Sequence, residues 1–439
     1  MALHRSFPAL TPVPKHLRIF QFGDCFALWS SLGVGLLVLQ AGALLAPGLS
    51  FWAASAAIVL GSLIGATLLG LAGVIGSDTG VATMAALRPT LGIRGASLPT
   101  LLNVLQLIGW GTFEIVVMRE SAHAMTRAWM PVHEGVAIVL WTLLWGTLAT
   151  LLAFGGPLAF VRRFLKRWGI WLVYAAALWL TIQVLWRADL PTLLSLPGTG
   201  EMSFGTAVDL VVAMPLSWLP LVADYTRFAQ NSRQVFRGTA LGYLLANVWF
   251  YALGVAYVLT LGATDLIQSI LLAAGGWVAL MLILVDETDN AFADIYSAAV
   301  STGNLATAWT TARLALIFGA VCTVLALVLP IARYEHFLLL IGSLFAPLFG
   351  VVLTDHFLVR QRRVEIRELD RVDGLYWYQG GWNWSAFLAW GCGVATFQVL
   401  TRLLPEFGAT LPAVLIGGVV YLTLIRISAF RAGMVRPQE

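Results

Sequence analysis

Apolar runs of about 20 residues recur along the whole chain, and each is long enough to cross the hydrocarbon core of a bilayer. Where no water reaches the backbone, a run of that length must satisfy its own N–H and C=O groups, which a helix does. Only 11% of the 439 residues are charged and 59% are hydrophobic, with a mean hydropathy of +0.85. So few charges cannot coat a soluble protein of this size. We expect spans near 22–46, 51–74, 98–125, 134–154, 169–187, 203–225, 238–262, 270–298, 310–330, 336–358, 384–404 and 409–427. These twelve form one membrane domain over 1–439, with tails at 1–21 and 428–439. The run from Phe22 to Ala46 is too long for the core of a signal peptide and is expected to be retained as the first span.

The basic residues carry the topology. With the N-terminus inside, 21 of the 26 Lys and Arg residues fall in inner segments, including Arg162, Arg163, Lys166 and Arg167 and the cluster Arg360, Arg362, Arg363, Arg367 and Arg371. Arg119, Arg127, Arg187, Arg333 and Arg402 remain outside. This asymmetry predicts a multi-pass protein of the cytoplasmic (inner) membrane with both termini cytoplasmic. The same clusters explain the pI of about 9.1 without nucleic acid, because they sit between apolar runs and form no basic face interleaved with aromatics. Trp129, Trp168 and Trp186 lie near span ends and suit interfacial anchoring. Glu365 to Tyr378 is expected to hold a brief surface helix.

Enzyme chemistry finds little support. No two of the six histidines have i,i+3 or i,i+4 spacing within a span, and neither a P-loop nor a G-x-S-x-G motif is present. Cys25, Cys322 and Cys392 stand far apart without CxxC spacing, so neither a disulfide framework nor a zinc site is indicated.

Two spans carry backbone breakers near mid-depth, Gly33-Val34-Gly35 in the first and Met214-Pro215-Leu216 in the sixth. If spans 1–5 (22–187) and 6–10 (203–358) are repeats of opposite topology, with two further helices over 384–427, the interrupted spans occupy corresponding positions. That pattern points to a transporter's central site; the competing reading is that Gly and Pro are simply common in membrane helices.

Ionisable groups inside a span are costly and need a reason. Glu114 lies four residues after Trp110, so both project from one face of the third span. An indole that stacks and a carboxylate that accepts N–H donors suit a flat, nitrogen-rich ring. The alternative is a protonated Glu bonded to a neighbouring helix beside a space-filling Trp. The acidic stretch Asp286-Glu287-Thr288-Asp289-Asn290, followed by Asp294, is open to two readings. It is a solvated loop if the eighth span ends at Val285. It lies at mid-depth if the span continues through the apolar residues beyond, where Thr288, Asp289 and backbone carbonyls would suit Na⁺ or a carboxylate would take up a proton.

The stretch Ser217-Trp218-Leu219-Pro220-Leu221-Val222-Ala223-Asp224-Tyr225-Thr226-Arg227-Phe228, the loop from Thr79-Gly80 through Leu91-Gly92-Ile93-Arg94-Gly95, and Asp294-Ile295-Tyr296-Ser297 resemble the nucleobase:cation symporter-1 family of purine-cytosine permeases. Within it, the motifs look most like the hydroxymethylpyrimidine permeases. The resemblance implies an all-α membrane protein of about twelve helices with a LeuT-like inverted repeat of five plus two extra helices. It also implies cation-coupled import of a small heterocycle. Trp110 and Glu114 would hold the ring, with Asn290 and Asp294 facing the substrate or its surroundings. Gly33, Gly35 and Gln40 on the first span and Met214, Pro215, Ser217 and Trp218 on the sixth complete the expected substrate set. Leu32, Gly35, Val285, Thr288 and Asp289 match the family's sodium locus, although the family tends to place a hydroxyl residue where Asp289 stands, which leaves Na⁺ or H⁺ open. Asp224 and Arg227 are better read as an inner gate or loop-fixing pair. No cofactor beyond the coupling ion is expected. Two rivals stand beside a pyrimidine importer: an amino-acid or amine carrier of the same fold, and a non-transporting membrane sensor.

Overall fold

The computed structural model describes residues 7–127, 130, 133–155, 168–262, 265–306, 308–329 and 334–431. The expected basic cluster at Arg162, Arg163, Lys166 and Arg167, the anchoring Trp129, and Arg333 lie outside these residues. The described chain is helical, with two isolated bridges and no strand. The principal helices are α1 (Phe22–Ser31), α2 (Leu36–Ala43), α3 (Phe51–Thr79), α4 (Ser97–Thr126), α5 (Glu134–Gly155), α6 (Ile170–Arg187) and α7 (Phe204–Ser217). They continue with α8 (Val222–Thr226), α9 (Ser232–Leu261), α10 (Gly276–Thr302), α11 (Thr311–Ala326), α12 (Tyr334–Leu353), α13 (Trp384–Leu403) and α14 (Thr410–Arg431).

Nine spans among the described residues are long and apolar enough to cross a membrane, α7 and α8 counting together as one. The pair α1 and α2, bent by 60° at its break, makes a tenth. Where the eighth and ninth spans were expected stand α10, long but rich in acids, and α11, apolar but only 16 residues. Leu60 and Leu63 of α3 and Leu140, Leu144 and Leu151 of α5 are exposed on the outer surface, as lipid contact requires. Trp168 and Trp186 are exposed as well.

Local chemistry sets the helix ends. Ser50, Ser203 and Asn231 cap α3, α7 and α9 by accepting N–H groups of the first turn, at 3.3, 3.1 and 3.1 Å. Gly80 ends α3 in the left-handed region (φ 77°), and the Arg18 guanidinium occupies the space a Cβ would take.

Packing divides the spans into two groups. In one, α1, α2, α3, α7 and α9 lie against one another; in the other, α4, α5, α10 and α11 do. Counted as spans these are the first, second, sixth and seventh against the third, fourth, eighth and ninth, so partners within each group are five spans apart. Small residues allow the close approach, since lipid offers little hydrophobic drive for helix association and van der Waals contact must supply it. A Cβ on Gly61 would come within 2.7 Å of Val211, and one on Gly65 within 2.2 Å of the Pro215 ring.

The segment 365–378 departs from expectation. Only the turn Ile366–Glu368 is helical. The rest is held open by side chains that take its backbone groups: Arg88 donates to the Leu369 carbonyl at 2.9 Å, Glu368 accepts the Leu375 N–H at 3.1 Å, and the Tyr376 hydroxyl accepts the Glu365 N–H at 2.8 Å. Beside it, burial works against the Arg360 guanidinium, but Asp355 at 2.7 Å and Tyr378 outweigh it and hold its pKa above the ordinary range.

Candidate functional site

The break between α1 and α2 leaves free backbone groups in the middle of the protein. Side chains of α10 satisfy them. Glu287 Oε2 accepts the Leu36 N–H at 3.1 Å, and Asn290 Nδ2 donates to the Val34 carbonyl at 3.1 Å. Gly35 makes this possible, because a Cβ there would stand 3.1 Å from both Glu287 Oε2 and Asn290 Nδ2. The acidic stretch is therefore at mid-depth on one continuous helix. Asp286, Glu287, Asp289 and Asp294 are all buried.

Opposite, α4 presents Trp110 and Glu114 on one face, both buried. Phe113 and Phe337 meet the Trp110 ring edge-on, with centroids 6.4 and 5.3 Å away, which fixes its orientation. The Glu114 carboxyl lies within hydrogen-bonding reach of that of Glu287, so a group from α4 and one from α10 meet.

The sixth span breaks later than its sequence suggests. Pro215 stays inside α7, where its ring packs on Gly65, and the chain leaves helical geometry at Trp218 before a tight turn over Leu219–Leu221. Pro220 explains the shift, since it sits in that turn and has no N–H to continue a ladder. The carbonyls freed there are taken by α4: Gln106 Nε2 donates to the Ser217 carbonyl and Asn103 Nδ2 to that of Pro220, each at 3.2 Å.

Between these breaks lies a narrow cavity. Of the residues expected from sequence, Leu32, Gly35, Trp110, Glu114, Met214, Ser217, Trp218, Asn290 and Asp294 line it. Gly33, Gln40 and Pro215 do not. Gly33 instead lets α9 approach, a Cβ there coming within 2.9 Å of Ala246, and Pro215 is turned to α3. Leu37, Val38 and Glu287 line the cavity without having been singled out. The signal for Glu287 was present: 287, 290 and 294 fall at i, i+3 and i+7, one face of a helix.

The residues expected to form a sodium locus lie on the same elements. Ser31 donates to Asp286 at 2.5 Å and also lies beside Asp289, neither of whose oxygens meets a donor in hydrogen-bonding geometry. The Thr288 hydroxyl donates to the Val285 carbonyl at 2.6 Å. Among the described residues no three His, Cys, Asp or Glu side chains gather around one point as metal ligands. An ion here would take Asp289, Thr288 Oγ1 and backbone carbonyls, an all-oxygen set that suits Na⁺ and offers none of the thiolate or imidazole ligands that softer metals favour.

Asp224 and Arg227 make no side-chain ion pair, although the guanidinium lies near enough for its charge to act on the carboxyl. Asp224 Oδ1 accepts from the Thr83 N–H at 2.9 Å and from its hydroxyl at 3.2 Å, fixing the loop after α3. Arg227 donates to the Asp224 backbone carbonyl and to the Tyr296 hydroxyl, both at 3.2 Å. The N-terminal segment closes over this end: Phe20 N–H donates to the Phe228 carbonyl at 2.8 Å and Val13 N–H to that of Gly80 at 2.9 Å.

Residues 12–421 match the family model described as permease for cytosine/purines, uracil, thiamine, allantoin. The cytosine permease of Escherichia coli K12 is 27% identical over 391 residues, covering 87% of this chain and 86% of its own. The hydantoin permease of Microbacterium maritypicum is 24% identical over 431 residues, covering 92% and 84%. Among solved structures, Mhp1, a nucleobase-cation-symport-1 family transporter in a closed conformation with bromovinylhydantoin bound, superposes with a TM-score of 0.83 at 20% identity, over 98% of both chains.

Proposed function

We propose, on the premise that this chain belongs to the family of permeases for cytosine/purines, uracil, thiamine and allantoin, that it imports a pyrimidine-like ring, hydroxymethylpyrimidine or cytosine, by symport with Na⁺ or H⁺. The chain is a multi-pass membrane transporter of the LeuT-like fold, not an enzyme. The observation that carries the substrate reading is a buried cavity between two broken spans in which Trp110 and Glu114 project together. Trp110 stacks on the ring and Glu114 takes its N–H edge.

Access alternates as the group of α1, α2, α3, α7 and α9 rocks against that of α4, α5, α10 and α11, the two repeats being 22–187 and 203–358. The coupling cation occupies the Leu32, Gly35, Val285, Thr288 and Asp289 locus if it is Na⁺, or a carboxyl of the same region if it is H⁺. The protein lies in the cytoplasmic membrane with both termini inside.

The amino-acid carrier is the weaker reading. It needs the N–H groups at the start of α2 for a substrate carboxylate, and the Leu36 N–H is given to Glu287. The test is uptake of labelled hydroxymethylpyrimidine and cytosine into proteoliposomes, with Na⁺ and pH gradients imposed separately. Accumulation above equilibrium under one gradient supports symport and names the ion; no accumulation of either compound under any gradient contradicts it.

A further inference from the structure

We propose that Glu287 is a second substrate ligand, and that Glu114 and Glu287 form a two-carboxyl clamp that selects a ring with an amidine edge, an exocyclic amine beside a ring nitrogen that carries a proton. This rests on the reading of the central cavity as the substrate site, and it adds a ligand and a chemical selectivity to that reading.

The polar atoms of the cavity decide the matter. Glu114 Oε2, Glu287 Oε1 and Asn290 Oδ1 meet no donor among the described residues, and their side chains belong to residues only 5%, 0% and 3% exposed. Each of the three lines the cavity, as does a third carboxyl, Asp294. The donors close by are already used: Asn290 Nδ2 on the Val34 carbonyl and the Ser217 hydroxyl on the Met214 carbonyl at 2.7 Å. The Trp218 indole faces the Tyr243 hydroxyl. No Lys, Arg or His lines the cavity. What it offers a ligand is a set of carboxyl and amide oxygens, with Glu114 and Glu287 close enough to share one proton between them when no cation is bound.

Ring edges differ in how they meet such a set. An oxo ring such as uracil sets each N–H beside a C=O or a C–H, so no edge of it puts two N–H donors side by side. A neutral amidine edge pairs one N–H donor with a ring-nitrogen acceptor; protonated on that nitrogen it places two N–H donors side by side, and both bonds to carboxylates are charge-assisted. Two carboxyls from different helices, within reach of one another, complement that protonated edge, whose two donors stand in for the proton the pair otherwise shares. Glu287 Oε2 holds the Leu36 N–H, which fixes the side chain beside Glu114 at the cavity wall.

A matched pair of probes tests the clamp: 4-amino-2-methylpyrimidine and its oxo counterpart 2-methyl-4-pyrimidinone, which share shape and differ in that edge. Binding of each to the purified full-length protein is measured by titration calorimetry, in wild type and Glu287→Gln. The amide keeps an acceptor for the Leu36 N–H, so the variant's melting temperature serves as the folding control. The clamp predicts that the amino ring binds wild type at least about tenfold tighter than the oxo ring and that Glu287→Gln brings the ratio near one. Equal binding of the two by wild type, or an unchanged ratio in a folded variant, overturns it while leaving a pyrimidine site standing. Binding of neither probe, nor of cytosine, overturns the site reading and the clamp together.

Discussion

Gln106 on α4 donates its amide to the Ser217 carbonyl at 3.2 Å, at the point where α7 ends. A helix broken inside a membrane protein must find partners for its freed carbonyls, and here the second group of helices supplies them to the first. The bond therefore spans the surface along which the two groups would have to slide.

Replacing Gln106 by Ala leaves the Ser217 carbonyl buried without that partner. The expected cost is about 1–3 kcal/mol, read as a lower melting temperature in detergent. If the groups slide as proposed, uptake rate falls more than equilibrium binding does. An unchanged melting temperature would show that another donor takes the carbonyl.

Trp110 is held edge-on by Phe337 and Phe113 and offers its ring to the cavity. Stacking of a base on an aromatic side chain is worth about 1–3 kcal/mol, so Trp110→Ala should weaken cytosine binding by about tenfold or more, while Trp110→Phe retains most of it. Equilibrium binding of labelled cytosine separates the two.

Gly65 faces the Pro215 ring, and a Cβ there would lie 2.2 Å from its Cγ. A proline ring is tied to its own backbone and cannot swing away as a flexible side chain would. Gly65→Ala should destabilise by about 1–3 kcal/mol through overpacking, whereas Gly200→Ala meets no neighbouring atom and strains only its left-handed backbone. Thermal melting of the two variants checks the contrast.

The membrane fold is legible in this sequence because apolar length is a chain-wide signal that survives local error. Trp110 and Glu114 are legible for a local reason, an i,i+4 spacing that needs no tertiary knowledge. Other features depend on what lies opposite. Pro215 reads as the break in the sixth span, yet a proline can remain in a helix when a glycine on the next helix receives its ring, and nothing near 215 in sequence announces Gly65. Glu287 is one of four acids within nine residues of α10, each about 100° from the next in rotation per residue. Its spacing to Asn290 and Asp294 sets it on their face, but that it meets Leu36 and Glu114, while Asp286 turns to Ser31, depends on where those residues stand in space.

The most direct test of the account is Glu114→Ala in proteoliposomes, with membrane insertion matched to wild type and gradient-driven uptake of labelled hydroxymethylpyrimidine and cytosine measured in parallel. The account predicts that the variant inserts normally and accumulates neither compound. Accumulation at the wild-type rate would contradict it, because the carboxyl assigned to the ring's N–H edge would then have no part in transport.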